Sequence, residues 1–281
     1  LENTISIYQE KDKNIFLRAR NNANILRDEE FEFIINFNVL SDPKLKDIVK
    51  KINHKSHRLS PYFSKVRTGL KAYQKGKGNP PQTREILQSR PFHSNKKKNS
   101  DYLKYLEGDD VKRYSSTWSK TYLKYGRHLA EPRSLNLFTT KRILVRQIPS
   151  KPPYCINAHY FSEKYLNDIN SMNVIDFNLD PLVILGMINS KMVSFWFIVR
   201  FAKLQRSLFP QFKVNELEKF PILKSINKKD TIKMSNLVKK KIHNPSNEKL
   251  DEELDNFVYK IFNISKEDQK YINSYLDSFT N

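Results

Sequence analysis

The residues Asn79-Pro80-Pro81-Gln82 come closest to a reactive constellation in this sequence. An Asn-Pro-Pro turn closing a buried strand can offer an Asn side chain and a Pro carbonyl to an exocyclic amino group. With an aromatic fourth residue stacked on the extruded base, that is the chemistry of methyl transfer to adenine N6. Gln82 has no ring to stack, and the residues before it, AYQKGKG, are polar, basic and punctuated by glycine. No glycine-rich turn after a hydrophobic strand offers a seat for S-adenosylmethionine. The run reads instead as a basic, glycine-rich loop. Asp110-Val111-Lys112, with Asp101 upstream, matches half of a metal-dependent nuclease site, but in so charged a chain a solvated turn is the preferred reading. His54 and His57 lie three apart without the glutamate or carboxylate cluster that metal chemistry needs. No catalytic centre, bound metal or cofactor is expected in this chain.

Charge says more. The formal net charge is +20, and residues 61–150 carry 20 Lys/Arg against 6 Asp/Glu. Residues 1–60 carry 11 against 9, and 151–281 carry 19 against 15, so the excess is focused on one third of the chain. Such a field attracts polyanions, and nucleic acid is the favoured partner. Cys155 is the one cysteine, which excludes an internal disulfide and fits a reducing, cytoplasmic setting. There is no signal-peptide pattern, and a start at Leu1 reads as a piece of something longer. Residues 181–201 are strongly apolar but interrupted by Asn189 and Lys191. They predict a buried core helix, not a membrane span, and no membrane partner is expected.

The elements that must position the basic residues can be sketched. NTISIYQ and NIFLRAR predict two short strands, and DPKLKDIVKKI predicts a helix burying Leu45, Ile48, Val49 and Ile52. Residues 61–100 are turn-rich and loop-dominated. RILVRQI (142–148) predicts a strand, and LEKFPIL (217–223) a short closing strand. The tail is helical, with Leu250, Leu254, Phe257, Val258 and Ile261 on one face. It carries 8 acidic and 4 basic residues from Glu248 onward and should face away from a polyanion. Its Leu254/Phe257 face could alternatively dock a partner domain. Trp118, Trp196 and Cys155 read as packing. The expected fold is α+β: small twisted sheets with basic loops, one buried central helix and a helical C-terminal appendage.

The ordered series RTGLKAYQKGKGNPPQT, RPFHS, YLKYLEGDDVKRY, YLKYGRHLAEPR and KRILVRQI resembles the TaqI-like C-terminal specificity domain of adenine-specific DNA methyltransferases. The form with KGKGNPPQT is most similar to fused type II restriction–modification enzymes. LGMINSKMVSFW, LEKFPI and LDNFVYKIFNISKEDQKYI continue the likeness, which spans about residues 67–272. The resemblance implies that residues 1–60 lead out of a methyltransferase domain, 61–225 recognise the target and 226–281 form a helical region. It implies sequence-specific recognition of double-stranded DNA, positioning an adenine for N6 methylation. Methylation with S-adenosylmethionine, and cleavage with Mg²⁺, would fall to methyltransferase and nuclease domains of the same polypeptide. The alternatives are a non-specific nucleic-acid binder and a metal-dependent nuclease around Asp101, Asp110 and Lys112.

Candidate DNA contacts follow. Lys71, Lys75 and Lys77 supply charge, while Gly76 and Gly78 let backbone N–H groups approach phosphates. Lys112, Arg113 and Tyr114 follow a turn, where Arg113 could equally be a packing anchor. Lys124, Arg127 and Arg133 add charge. Arg146 and Gln147 point to opposite faces of their strand. Arg can read guanine and Gln adenine, although the strand itself is expected to be scaffold. Arg200, Lys203 and Arg206 form a second patch, with Phe209 and Phe212 nearby as packing residues.

Overall fold

The structure, a computed structural model, describes residues 4–11, 14–22, 42–201 and 211–279. Two antiparallel strands, β1 (Thr4–Lys11) and β2 (Asn14–Asn22), come first. Helix α1 (Pro43–Lys55) begins where Asp42 accepts the Lys44 N–H (2.9 Å), with Pro43 in the first turn. Its buried residues are Leu45, Ile48, Val49 and Ile52, as their spacing predicts. Then come β3 (Ser56–Arg58), β4 (Phe63–Thr68), α2 (Arg84–Ser89), β5 (His93–Ser94) and β6 (Tyr102–Leu106). A short ribbon of β7 (Val111–Lys112) and β8 (Ser115–Ser116) precedes β9 (Tyr122–Lys124) and α3 (Asn136–Thr139). The chain continues through β10 (Arg142–Arg146), β11 (Ala158–Phe161), β12 (Leu166–Asn167) and β13 (Ser171–Phe177). Helices α4 (Pro181–Ile188), α5 (Lys191–Phe201) and α6 (Val214–Leu217) lead to β14 (Pro221–Leu223). Helices α7 (Lys228–His243), α8 (Glu248–Ile261) and α9 (Lys266–Asp277) complete the described chain.

The frame is an antiparallel sheet in the order β11-β10-β13-β4. On β10, Ile143 and Val145 join the large core shared with the helices, while Leu144 faces Val111 and Phe161 on the other side. Burial on both faces explains the nearly unbroken apolar run of this strand. Arg142, at its start, is fully buried and donates to the carbonyls of Phe138 (3.0 Å), Thr140, Glu163 and Tyr165 (2.6 Å). A second, smaller sheet, β12-β6-β9-β5, carries the basic segment. The architecture is therefore α+β with small sheets.

Two elements differ from their sequence reading. The apolar stretch 181–201 is two helices bent by 62°, not one. The break lies at Asn189 and Ser190, both buried. Asn189 donates its side-chain amide to the Ala158 carbonyl (2.9 Å), and the Ser190 hydroxyl accepts the Val193 N–H (3.2 Å), capping α5. Among the described residues no single helix is long and apolar enough to cross a membrane. The closing strand is shorter than expected: only Pro221–Leu223 pairs, antiparallel with β3, and Leu217 ends α6.

The tail helices share the large core with α1, and Leu254 and Phe257 are nearly fully buried in it, so that face serves packing. Acidic residues of the tail are turned onto cations of the same chain. Asp268 takes Lys44 and Lys51, each at 2.9 Å, and Asp251 takes Lys241 (2.6 Å) and Arg113.

One half-buried ring gives a pH signature. Burial holds the His159 imidazole, on β11, down to about 4 from its ordinary 6.5. The neutral ring contributes stability that is present above 6.5 and lost as pH falls toward 4. Relative to His159→Phe, the unsubstituted chain should lose up to about 3 kcal/mol across that window, read by urea unfolding at both ends. Parallel pH profiles for the two proteins would refute this.

Candidate nucleic-acid interface

The glycine-rich loop is built around Gln82. Gly76 and Gly78 sit at φ +74° and +87°, conformations that favour glycine. A Cβ at Gly78 would lie 2.4 Å from the His128 carbonyl oxygen, so the backbone passes too close for any side chain. Gln82 is buried, and its amide donates to the carbonyls of Ala72 (2.9 Å) and His128 (2.8 Å). Its side-chain oxygen accepts the Gln74 N–H (2.9 Å). Asn79 donates its N–H to the Arg127 carbonyl (2.9 Å). The loop is thereby fastened to the 126–128 turn, leaving Lys75, Lys77 and Arg127 exposed. The turn is held in its own right, since His128 Nε2 lies 3.0 Å from the Lys124 carbonyl.

A second set of bonds ties in the neighbouring segment. Lys71 and Glu131 exchange backbone hydrogen bonds (3.0 and 2.8 Å). The Lys71 ammonium donates to Gln74 (2.8 Å). Arg133, at φ +59°, donates to the Gly69 carbonyl (3.3 Å) and Thr68 hydroxyl (3.1 Å) and pairs with Glu131 (3.1 Å). Six of the sequence candidates, Lys71, Lys75, Lys77, Lys124, Arg127 and Arg133, are thus drawn into one loop cluster. Beneath it, Tyr73 stacks on Phe92 (5.2 Å) and Phe92 meets His128 (4.3 Å). The Tyr73 hydroxyl accepts the Phe92 N–H (2.9 Å) and lies 3.0 Å from His93 Nδ1. Burial, then the charge of Arg90, lowers His93 to about 4 and keeps it neutral.

Other candidates lie elsewhere. Lys112 is exposed on the β7–β8 ribbon. Arg113 and Tyr114, read as DNA contacts, are turned inward. Tyr114 is fully buried, and its φ of +58° redirects the chain. Arg113 donates to the Asn189 carbonyl (2.9 Å), pairs with Asp251 and lies over the Tyr154 ring (3.6 Å). It is the packing anchor of the two readings. Arg146 is largely covered and pairs with Asp109 (2.5 Å). Gln147 is half-buried, and its backbone bonds Asn170 (2.8 Å) and Phe212 (3.0 Å). Arg200 is buried near the end of α5, which removes it from a surface patch. Lys203, Arg206 and Phe209 lie outside the described residues.

Asp110 caps its own turn. Its carboxylate accepts the Glu107 N–H (2.9 Å) and lies 3.3 Å from the Ser119 hydroxyl. It is therefore committed to local structure, while Asp101 is exposed. Among the described residues no three His, Cys, Asp or Glu side chains are grouped to hold a metal ion. Sequence reasoning missed Arg90, exposed beside Tyr73 (5.7 Å to the ring), and the bracing role of Gln82. The charge of the 61–100 segment was the available signal for the first. Nothing local marked the second.

These features define a class: a small-sheet α+β module whose basic loops are cross-braced above a buried frame. Residues 103–222 match the model of the TaqI-like C-terminal specificity domain. The loop of residues 75–82 precedes the matched segment. A type II restriction enzyme and methyltransferase of Methanocaldococcus jannaschii is 27% identical over 188 residues, covering 63% of this chain and 16% of that protein. The solved type IIG restriction endonuclease BpuSI shares 9% identity at a TM-score of 0.46, covering 88% of this chain and 36% of that one. The type IIL restriction-modification enzyme MmeI, solved in complex with DNA, shares 11% at a TM-score of 0.48, covering 80% and 37%. The chain thus spans well under half of each of these relatives.

Proposed function

We propose that this chain is the DNA-recognition module of a restriction–modification enzyme. It would hold a short duplex sequence against a methyltransferase domain that methylates adenine N6, and against a nuclease domain that cleaves. The observation that carries the reading is the loop cluster, where the main-chain positions of six basic residues are held relative to one another by hydrogen bonds. A preset spacing of cations can register a phosphate backbone, and register is what base contacts need. We assign S-adenosylmethionine and Mg²⁺ to the other domains of a longer polypeptide. The buried Gln82 stands where a base-stacking ring would be needed, and Asp110 is engaged as a cap.

Selection from a randomised duplex library by the purified chain, with non-specific competitor present, tests this reading. Enrichment of one short motif supports it. Tight binding without any enriched motif overturns it in favour of a non-specific binder. On the selected duplex, Lys75→Gln/Lys77→Gln/Arg127→Gln should weaken binding similarly for all sequences. The log–log salt slope should fall by about one for each phosphate that is no longer neutralised. An unchanged slope would remove these three residues from the interface.

A further inference from the structure

A cleft of about 610 Å³ opens beside the loop cluster, where Lys71, Arg90 and Arg146 arrive from three separate elements. Two of these cations are already held. Arg90 lies 3.5 Å from the Glu107 carboxylate, and Arg146 lies 2.5 Å from that of Asp109. Both acids come from one turn, and that turn is rigidly set. The Asp110 side chain and backbone bond Glu107 (2.9 and 3.0 Å), and a Cβ at Gly108 would lie 2.8 Å from Asn170. The acids themselves stay open to solvent: Glu107 is 50% and Asp109 80% exposed.

The placement is selective. Residues 61–150 hold only 6 acidic residues, and two of them stand at this cleft against its arginines. A third acid of the lining, Asp168, is buried and engaged instead by the Asn170 N–H (3.0 Å) and side-chain amide (2.6 Å). The Arg90–Glu107 pair is open on both sides, and such pairs hold weakly and are screened by salt, whereas at the Arg146–Asp109 pair only the carboxylate is open. A phosphodiester offers a guanidinium the same two-oxygen acceptor geometry as a carboxylate, so it competes for the same donors. We propose that the cleft is a phosphate-binding site for duplex DNA. Glu107 and Asp109 occupy its arginines until the backbone displaces them, which suppresses binding at sequences where the rest of the interface does not fit. The inference rests on the reading of the chain as a DNA-recognition module.

The test is binding of a mixed-sequence duplex and of the selected duplex, by fluorescence anisotropy over a salt series. Glu107→Gln/Asp109→Asn should bind the mixed duplex about 3–10-fold more tightly, with a log–log salt slope steeper by about one to two. Its preference for the selected sequence should shrink. Arg90→Gln/Arg146→Gln should bind both duplexes more weakly; if Arg146→Gln does not fold by circular dichroism, Arg90→Gln alone should do so to a lesser degree. If the unsubstituted chain selects a motif but the acid variant matches it in affinity and slope, this proposal fails and the recognition reading stands. If the unsubstituted chain binds no duplex, both fail.

Discussion

Gln82→Met is expected to abolish sequence selection and to lower stability by about 3 kcal/mol or more. Methionine fills a similar volume but returns none of the three hydrogen bonds. The Ala72 and His128 carbonyls and the Gln74 N–H would face an apolar thioether, and each buried unsatisfied group costs roughly 1–3 kcal/mol. At a few degrees per kcal/mol for a chain of this size, the midpoint of thermal unfolding should drop by about 10 °C. Lys75, Lys77 and Arg127 would remain as charges, so non-specific binding at low salt should survive while the enriched motif disappears. Retained selectivity in the folded variant would sink the claim that this residue sets the loop spacing.

Gln82→Glu separates the hydrogen bonds from the shape. A carboxylate there still accepts from Gln74 but opposes two carbonyl oxygens. The protonated acid regains one donor. Burial and those carbonyls should raise its folded pKa above the ordinary value of about 4.3. Its stabilising contribution is therefore complete at low pH and lost as pH rises through the raised value. Selectivity and stability of this variant should recover on acidification relative to Gln82→Met. A difference between the two variants that does not change with pH would contradict this assignment.

Asp251→Ala should cost the chain about 3–5 kcal/mol. The carboxylate is 14% exposed and serves two cations, Arg113 at 13% and Lys241 at 1%. Removing it leaves both without their counter-charge. Lys241 keeps only the Asn247 carbonyl (2.9 Å), and Arg113 keeps the Asn189 carbonyl and the Tyr154 ring. The pair joins the β7–β8 ribbon to the tail helices, so the loss should appear as one cooperative destabilisation in urea, not as fraying of the tail. Asp251→Asn, which keeps the shape and one acceptor, should fall between. A stability within about 0.5 kcal/mol of the unsubstituted chain would show that the network contributes nothing.

Legibility followed locality. Helix α1 could be read because its cap, its proline and its apolar stripe all lie within a dozen residues. The strand β10 was legible from its apolar run. The bend at Asn189–Ser190 was not, because apolar residues continue through both helices and the break depends on Ala158. Sequence alone leaves the two readings of Arg113, DNA contact and packing anchor, open. What separates them is Asp251, on a helix far along the chain. Gln82 likewise meets the His128 carbonyl, 46 residues away. The charge of the 61–150 segment pointed to the basic loops, and the ordered motifs pointed to the family whose model matches residues 103–222. Which cations stay outside and which serve the core was decided by partners distant in sequence.

The braces of the loop cluster grip main chain. Gln82 holds the carbonyls of Ala72 and His128, Asn79 donates to the carbonyl of Arg127, and Arg133 holds that of Gly69. None of these bonds asks what side chain Lys75, Lys77 or Arg127 carries. Those positions can drift from one lineage to the next while the loops keep their shape. If the three contact phosphate as proposed, overall affinity could then be tuned by point substitution without refolding the scaffold and without changing the target.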